Sequence, residues 1–167
     1  MPIAAWHGSC GTLQTAGSCP HRPKYTGALS RKEAVLIEPT QINLPQVVAE
    51  VETAFQAYEA ALMSNDLTSL DALFWEDDRT VRYGSHENLY GIVAIRAFRA
   101  QRPTANLARR VTRVALTTYG HDFATVDIEF SRHDERGRQS QTWVRMARGW
   151  QVVAAHISLL PNIEPSP

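Results

Sequence analysis

Cysteine is nearly absent: the 167 residues include two, Cys10 and Cys19, both close to the N-terminus. Beyond position 19 the chain can therefore hold neither a disulfide framework nor a thiol nucleophile, and its folding must come from burial. Net charge is absent too, since 17 basic residues stand against 17 acidic ones. Without an excess of positive charge, nucleic acid is not expected as a partner. No window approaches the roughly 18 consecutive apolar residues of a membrane span. The opening MPIAAWHGSCG lacks the basic and apolar regions of a secretory leader, so a cytoplasmic setting without membrane contact is expected. There is no G-x-S-x-G elbow, no P-loop, no G-x-G-x-x-G after a strand and no H-E-x-x-H. His7, Cys10, Cys19 and His21 include neither a C-x-x-C nor an H-x-x-x-H pair, and no metal or cofactor is expected. Metal-free acid-base or electrostatic chemistry remains.

What is present suits a globular protein: 44% of residues are hydrophobic and 20% charged, near the average for folded domains. The length fits one domain with one core. Residues 1–40 read as a mostly irregular extension, because Gly8, Gly11, Gly17, Pro20, Pro23, Gly27 and Pro39 interrupt any periodic pattern. The domain is expected over residues 41–163, with 164–167 as a tail.

From Leu44 the pattern is helical. Val47, Val51, Phe55, Tyr58 and Leu62 recur at three- and four-residue steps, and Pro45 suits a first turn. Ser64-Asn65-Asp66 offers a stop and a fresh cap for a second short helix through Leu70, Leu73 and Phe74. Thr80 to Gly84 reads as a short strand, Ser85 to Asn88 as a polar loop, and Ile92 to Arg102 as a third helix ended by Pro103. Four strands follow, Val111–Tyr119, Phe123–Arg132, Gln139–Ala147 and Trp150–Leu160, separated by Gly120-His121-Asp122, by Asp134 to Gly137 and by Arg148-Gly149. Val126, Ile128 and Phe130 alternate with Asp127 and Glu129, as in a strand with one covered face. Helices first and a long antiparallel meander after them indicate an α+β fold. A strongly curved sheet wrapped over a helix makes a cone with a pocket at one end.

That element order, together with Phe55-Gln56-Ala57-Tyr58-Glu59, Leu73-Phe74-Trp75, Thr80-Val81-Arg82-Tyr83-Gly84, Glu87-Asn88-Leu89-Tyr90-Gly91, Gly137-Arg138-Gln139-Ser140-Gln141-Thr142-Trp143 and Val153-Ala154-Ala155-His156, resembles the AtzH-like family. That family also contains the oxalurate catabolism protein HpxZ and lies within the nuclear transport factor 2-like, or SnoaL-like, superfamily. The resemblance covers about Ile42 to Pro161 and implies a mainly antiparallel cone with three N-terminal helices. It implies a role in ureide and nitrogen catabolism beside an amidase: a decarboxylating amidohydrolase acting on a dicarboxylated urea to give allophanate, with Tyr58 and Arg82 as the catalytic pair carried over by position. A homodimer through the outer face of the sheet is expected by the same analogy.

The residues themselves leave more than one reading open. Arg82 must face away from Val81 and Tyr83; inside the cone its guanidinium would grip a carboxylate with two parallel hydrogen bonds, and otherwise it would pair with Glu76, Asp77 or Asp78. Tyr58 lies on the apolar stripe, either as a packed core tyrosine or, beside a guanidinium that favours the phenolate, as a group exchanging protons with a substrate nitrogen. His156, among Ala154, Ala155 and Ile157, would be a neutral imidazole if buried, facing substrate or simply packed. His86 either lines the entrance or is solvated. Trp75, Tyr83 and Trp143 suit pocket walls and plain core equally, and Arg96 either holds a second carboxylate or lies on a solvated helix face. Against the enzyme stand two other possibilities: a non-catalytic accessory subunit of a partner amidase, and an isomerase-like proton shuttle needing an inward carboxylate such as Asp127 or Glu129.

Overall fold

The computed structural model describes residues 36–103 and 107–161. The expected extension before residue 36 and the tail, with the candidate metal ligands His7, Cys10, Cys19 and His21, lie outside them.

A single turn of 3₁₀ helix at Pro39–Gln41 leads into α1 (Pro45–Ser64). The helix starts on Pro45, whose missing N–H is no loss in a first turn, and ends where Asn65 adopts a left-handed conformation with φ 55°. Its stripe of Val47, Val51, Phe55, Tyr58 and Leu62 is buried. The short α2 (Leu67–Ala72) begins at Asp66, whose carboxylate accepts from the backbone N–H of Ser69 at 3.0 Å and from its hydroxyl at 2.6 Å. Strands β1 (Val81–Tyr83) and β2 (Asn88–Tyr90) form a small hairpin, and α3 (Gly91–Gln101) follows it. Gly91 enters that helix at φ 78°, and a side chain there would press on the Asp78 backbone. The long strands are β3 (Arg110–Tyr119), β4 (Phe123–Arg132), β5 (Glu135–Met146) and β6 (Gly149–Leu160).

All six strands join one curved, unclosed sheet in the order β2-β1-β6-β5-β4-β3. Every pairing is antiparallel except that of β1 with β6, which is parallel. The α+β cone expected from the sequence is therefore present. One boundary differs: β5 starts at Glu135 rather than Gln139, because His133 takes φ 52° and closes a turn at His133-Asp134, letting Glu135 pair with Arg132. β5 thereby pairs with β4 over four further residues, Glu135 to Arg138.

The inner face follows from strand parity. Ala124, Val126, Ile128 and Phe130 on β4, with Gln139, Gln141 and Trp143 on β5, are buried against α1. Between Thr142 and Trp143 the register with β6 shifts by one residue, a bulge that bends the sheet. Beyond it Ala155 pairs with Arg82 and His156 with Tyr83. Arg82 thus shares the inner face with Ala155, and Tyr83 is turned outward with His156.

Hydrogen bonds from Ser69 hold the Asp66 carboxyl below the usual carboxylate range. A group depressed in the folded state stabilises above its unfolded pKa and loses that contribution as pH falls through the folded value. Thermal melts of Asp66→Ala should accordingly lie below those of the wild type at neutral pH and converge with them in acid; a difference that persists in acid would assign the effect to something other than the charged cap.

Candidate active site

Beyond Tyr58, between α1, the β1–β2 hairpin, α3 and the inner sheet, lies a cavity of about 370 Å³. Four guanidinium groups line it, those of Arg82, Arg102, Arg109 and Arg132, against two carboxylates, Glu87 and Glu135. Each arginine arrives by a different structural route. Arg82 is the inward residue of the three-residue β1, Arg102 the residue that ends α3, Arg109 the residue before β3, and Arg132 the next inward position after Phe130 on β4.

The four are not equivalent. Arg82 donates from Nη1 to Glu87 Oε1 at 2.5 Å and lies over the Phe98 ring, its central carbon 5.0 Å from the ring centroid. Its other N–H groups remain available to a ligand. Gly84 makes the Glu87 contact possible, since a Cβ there would land on the Glu87 carboxylate. Arg109 is almost wholly buried and grips Glu59 of α1 with two hydrogen bonds, Nε to Oε2 at 3.0 Å and Nη2 to Oε1. Arg102 and Arg132 have no carboxylate within ion-pair distance among the described residues. Arg102 Nη2 donates to Asn65 Oδ1 at 2.9 Å and Arg132 Nη2 to the Leu107 carbonyl at 3.4 Å, while the Nε of each is buried without a partner. Burial, and after it repulsion from neighbouring guanidinium groups, lowers both below the ordinary arginine value. Such groups still stay protonated in water; Glu135 and Glu59 attract Arg132 from a distance, and neither Arg102 nor Arg132 has a carboxylate in contact among the described residues.

Tyr58 forms part of the wall. Its ring meets Trp143 edge-on at 6.4 Å and lies 6.3 Å from Phe74, and its hydroxyl accepts from Gln139 Nε2 at 3.3 Å. Gln139 Oε1 in turn accepts from Arg109 Nη1 at 3.0 Å.

The structure therefore brings Tyr58, Arg82 and His86 to one cavity. The other candidate wall residues lie elsewhere. Trp143 is fully buried behind Tyr58, packed in the core rather than facing the cavity. Tyr83 is turned outward by strand alternation and stacks edge-on against Tyr90 and His156 at 6.0 and 5.9 Å. His156, on the same outer face, is exposed, so a buried neutral imidazole at the substrate is corrected. Trp75 lies under Arg79, beside a separate depression with Glu76 and Arg148. Arg96 is spent on Asp71 at 3.3 Å and Glu76 at 3.1 Å. Arg82 pairs with Glu87, not with Glu76, Asp77 or Asp78. Residues 77 and 79 instead pair with each other, and Asp77 is pulled down to about 2 by the hydrogen bonds from Arg79.

Comparison with known proteins places this geometry. The model of the AtzH-like family matches residues 40–163. The chain belongs to that family. A solved structure of a protein with unknown function from Pectobacterium atrosepticum is 52% identical to this AtzH-like chain, over 75% of it and all of the other, with a TM-score of 0.74. A cystatin-like fold protein from Burkholderia xenovorans is 45% identical over 75% of this chain and all of that one, with a TM-score of 0.70. A nuclear transport factor 2-like superfamily protein from Salmonella enterica shares the fold at 20% identity and a TM-score of 0.61, over 72% of this chain and 95% of its own. No curated protein matches. None of the described helices is long and apolar enough to cross a membrane.

The cavity floor depends on one glycine. Gly137 pairs with Phe130 across β4 and β5, and a Cβ on it would overlap the Phe130 ring, over which Arg109 lies at 4.7 Å. Gly137→Ala should cost about 1–3 kcal/mol by overpacking, read from urea unfolding midpoints; an unchanged midpoint would mean that the ring has room to move.

Proposed function

We propose that this AtzH-like protein is a small-molecule amidohydrolase of ureide catabolism that binds an N-carboxylated urea and releases carbon dioxide from it. The observation that supports this most is the pair Arg102 and Arg132, without carboxylate partners among the described residues, in the cavity that Tyr58 and Arg82 also line. A ligand with two carboxylates would give both guanidinium groups the charged partners they lack. In 1,3-dicarboxyurea the two carboxylates stand at the ends of a five-atom chain, so one can lie against Arg82 while the other meets Arg102 and Arg132. Planar guanidinium forks match carboxylates with paired hydrogen bonds.

On this reading Arg82 anchors the carboxylate near the reacting bond, and Tyr58 handles a proton at the nitrogen as the carbon–nitrogen bond breaks. The products are carbon dioxide and allophanate. The exposed Asp127 and Glu129 are on the outer face, which disfavours an isomerase with either carboxylate as its base. The homodimer and the partner amidase belong to the same proposal. An accessory role would require the isolated protein to be inert.

The test is purified protein with freshly generated dicarboxyurea, carbon dioxide and allophanate being followed over time. Wild type should turn over without a partner. Arg82→Met and Tyr58→Phe should each remove on the order of 2.7–4 kcal/mol of barrier stabilisation while melting like wild type. Full rates in both variants would sink the assignment, and activity that appears only with an added amidase would favour the accessory role. Binding is checked separately by calorimetry with glutarate, an inert dianion of the same span. Arg102→Met and Arg132→Met should each weaken it roughly tenfold or more, and equal affinity for butyrate and glutarate would argue against a second carboxylate subsite.

A further inference from the structure

Arginine offers only donors. Arg109 Nη1 lies 3.0 Å from one side-chain atom of Gln139, and that atom must therefore be the amide oxygen. The amide nitrogen is then the group facing Tyr58, at 3.3 Å. An amide N–H can only donate, so the Tyr58 hydroxyl accepts there, and its own hydrogen has to point elsewhere. No other described residue accepts it, and Tyr58 forms part of the cavity wall. Glu59 fixes the whole arrangement by holding Arg109 with two hydrogen bonds. Glu59 and Gln139 are buried, and Arg109 exposes 2% of its side chain, so solvent cannot rotate the amide.

We infer that Glu59, Arg109 and Gln139 are positioning residues that turn the Tyr58 hydroxyl hydrogen into the cavity, making Tyr58 a proton donor to the bound ligand rather than a base. What the proton does rests on the proposed function; where it points does not. In the reaction, the bond between the carboxylate carbon and the urea nitrogen breaks and its electron pair stays on nitrogen. The Tyr58 proton passes to that nitrogen, and carbon dioxide departs. The phenolate left behind takes a proton from water, and the hydroxide so formed is consumed by carbon dioxide as bicarbonate. Atoms and charge balance without an oxidant, a metal or a second substrate.

Gln139→Glu tests the direction. The introduced carboxylate keeps the shape and the contact with Arg109, but it can only accept from Tyr58, so the hydroxyl is reversed. Infrared difference spectra of protein carrying ring-labelled tyrosine, wild type minus Tyr58→Phe, isolate the Tyr58 carbon–oxygen stretch. In wild type this band should read as an acceptor from Gln139 that also donates into the cavity, and should shift when glutarate is added; in Gln139→Glu it should read as a donor only and hardly respond to glutarate. On dicarboxyurea, kcat of Gln139→Glu should fall about a hundredfold at saturating substrate, separately from any rise in KM that the added charge brings. Gln139→Met, which releases the hydroxyl without reversing it, should fall between the two. A donor-only band in empty wild type, or an undiminished kcat in Gln139→Glu, overturns the inference. If wild type turns over no carboxylated urea, the proposed reaction fails, and the infrared band alone still decides the direction of the hydroxyl.

Discussion

The inner end of the cavity is organised around the charge of Arg109. Only 2% of its side chain meets solvent, and an ionised group left unmet at such depth costs about 3–5 kcal/mol. Glu59 meets it from α1, at the position following Tyr58, and Gln139 meets it from β5. The Phe130 ring lies under it, made possible by the missing side chain at Gly137. One buried cation thus ties the first helix, the loop before β3 and the two central strands together. It also sets the rotamer of the amide beside Tyr58, so the requirement that stabilises the inside of the cone is the same one that aligns the hydroxyl.

The remaining arginines follow a different rule. Arg82 has a carboxylate, but Glu87 engages one nitrogen, leaving the rest of the fork unused. Arg102 and Arg132 lean on a side-chain amide and a backbone carbonyl, neutral acceptors that lower the desolvation cost without cancelling the charge. A structural role alone would favour carboxylate partners for both, because uncompensated charge in a partly enclosed space is destabilising. The cost is consistent with a site whose counter-ion arrives with the ligand, and binding energy then comes from relieving repulsion already present among neighbouring cations. Asn65 serves both ends of this arrangement: its left-handed backbone ends α1, and its side chain steadies Arg102.

Much of the architecture was legible because it rests on local periodicity. The α1 stripe, the Asp66 cap, the glycine and Asn turns and the alternation along β4 all state their positions within a few residues. Alternation set Arg82 opposite Val81 and Tyr83, and its pairing with the buried Ala155 is what turns it inward. What stayed hidden depends on contacts distant in sequence. Arg109 and Glu59 are 50 residues apart and Gln139 and Tyr58 are 81 apart, and nothing in spacing announces either meeting. Arg132 carried a readable signal, since it continues the parity of Val126, Ile128 and Phe130 onto a charged residue. Gln139 and Gln141 carry a similar one, polar residues in phase with Trp143. The outward placement of His156 turned on the bulge between Thr142 and Trp143, which shifts the parity of β6 by one; without it, an imidazole between Ala155 and Ile157 reads as buried. Trp75 and Arg96 stand beside loops whose path no periodicity fixes.

The contrast between inward amide and outward carboxylate bears on reaction class. A cone that abstracts a proton needs an ionised acid in its apolar interior, and such an acid raises its own pKa unless something meets it. Here the carboxylates inside are claimed: Glu59 by Arg109, Glu87 by Arg82, with Glu135 at the edge of the cationic group. The polar lining is dominated by donors, guanidinium N–H groups and, with its hydrogen turned inward, the Tyr58 phenol O–H, with Glu135 the carboxylate left unpaired. A wall of donors favours states in which negative charge gathers on the ligand or a leaving atom takes up a proton. Loss of carbon dioxide from a carbamate is such a process, since the nitrogen must gain a proton as it loses the carboxylate, whereas an enolising isomerase would have as its base only Glu135, among the cationic groups.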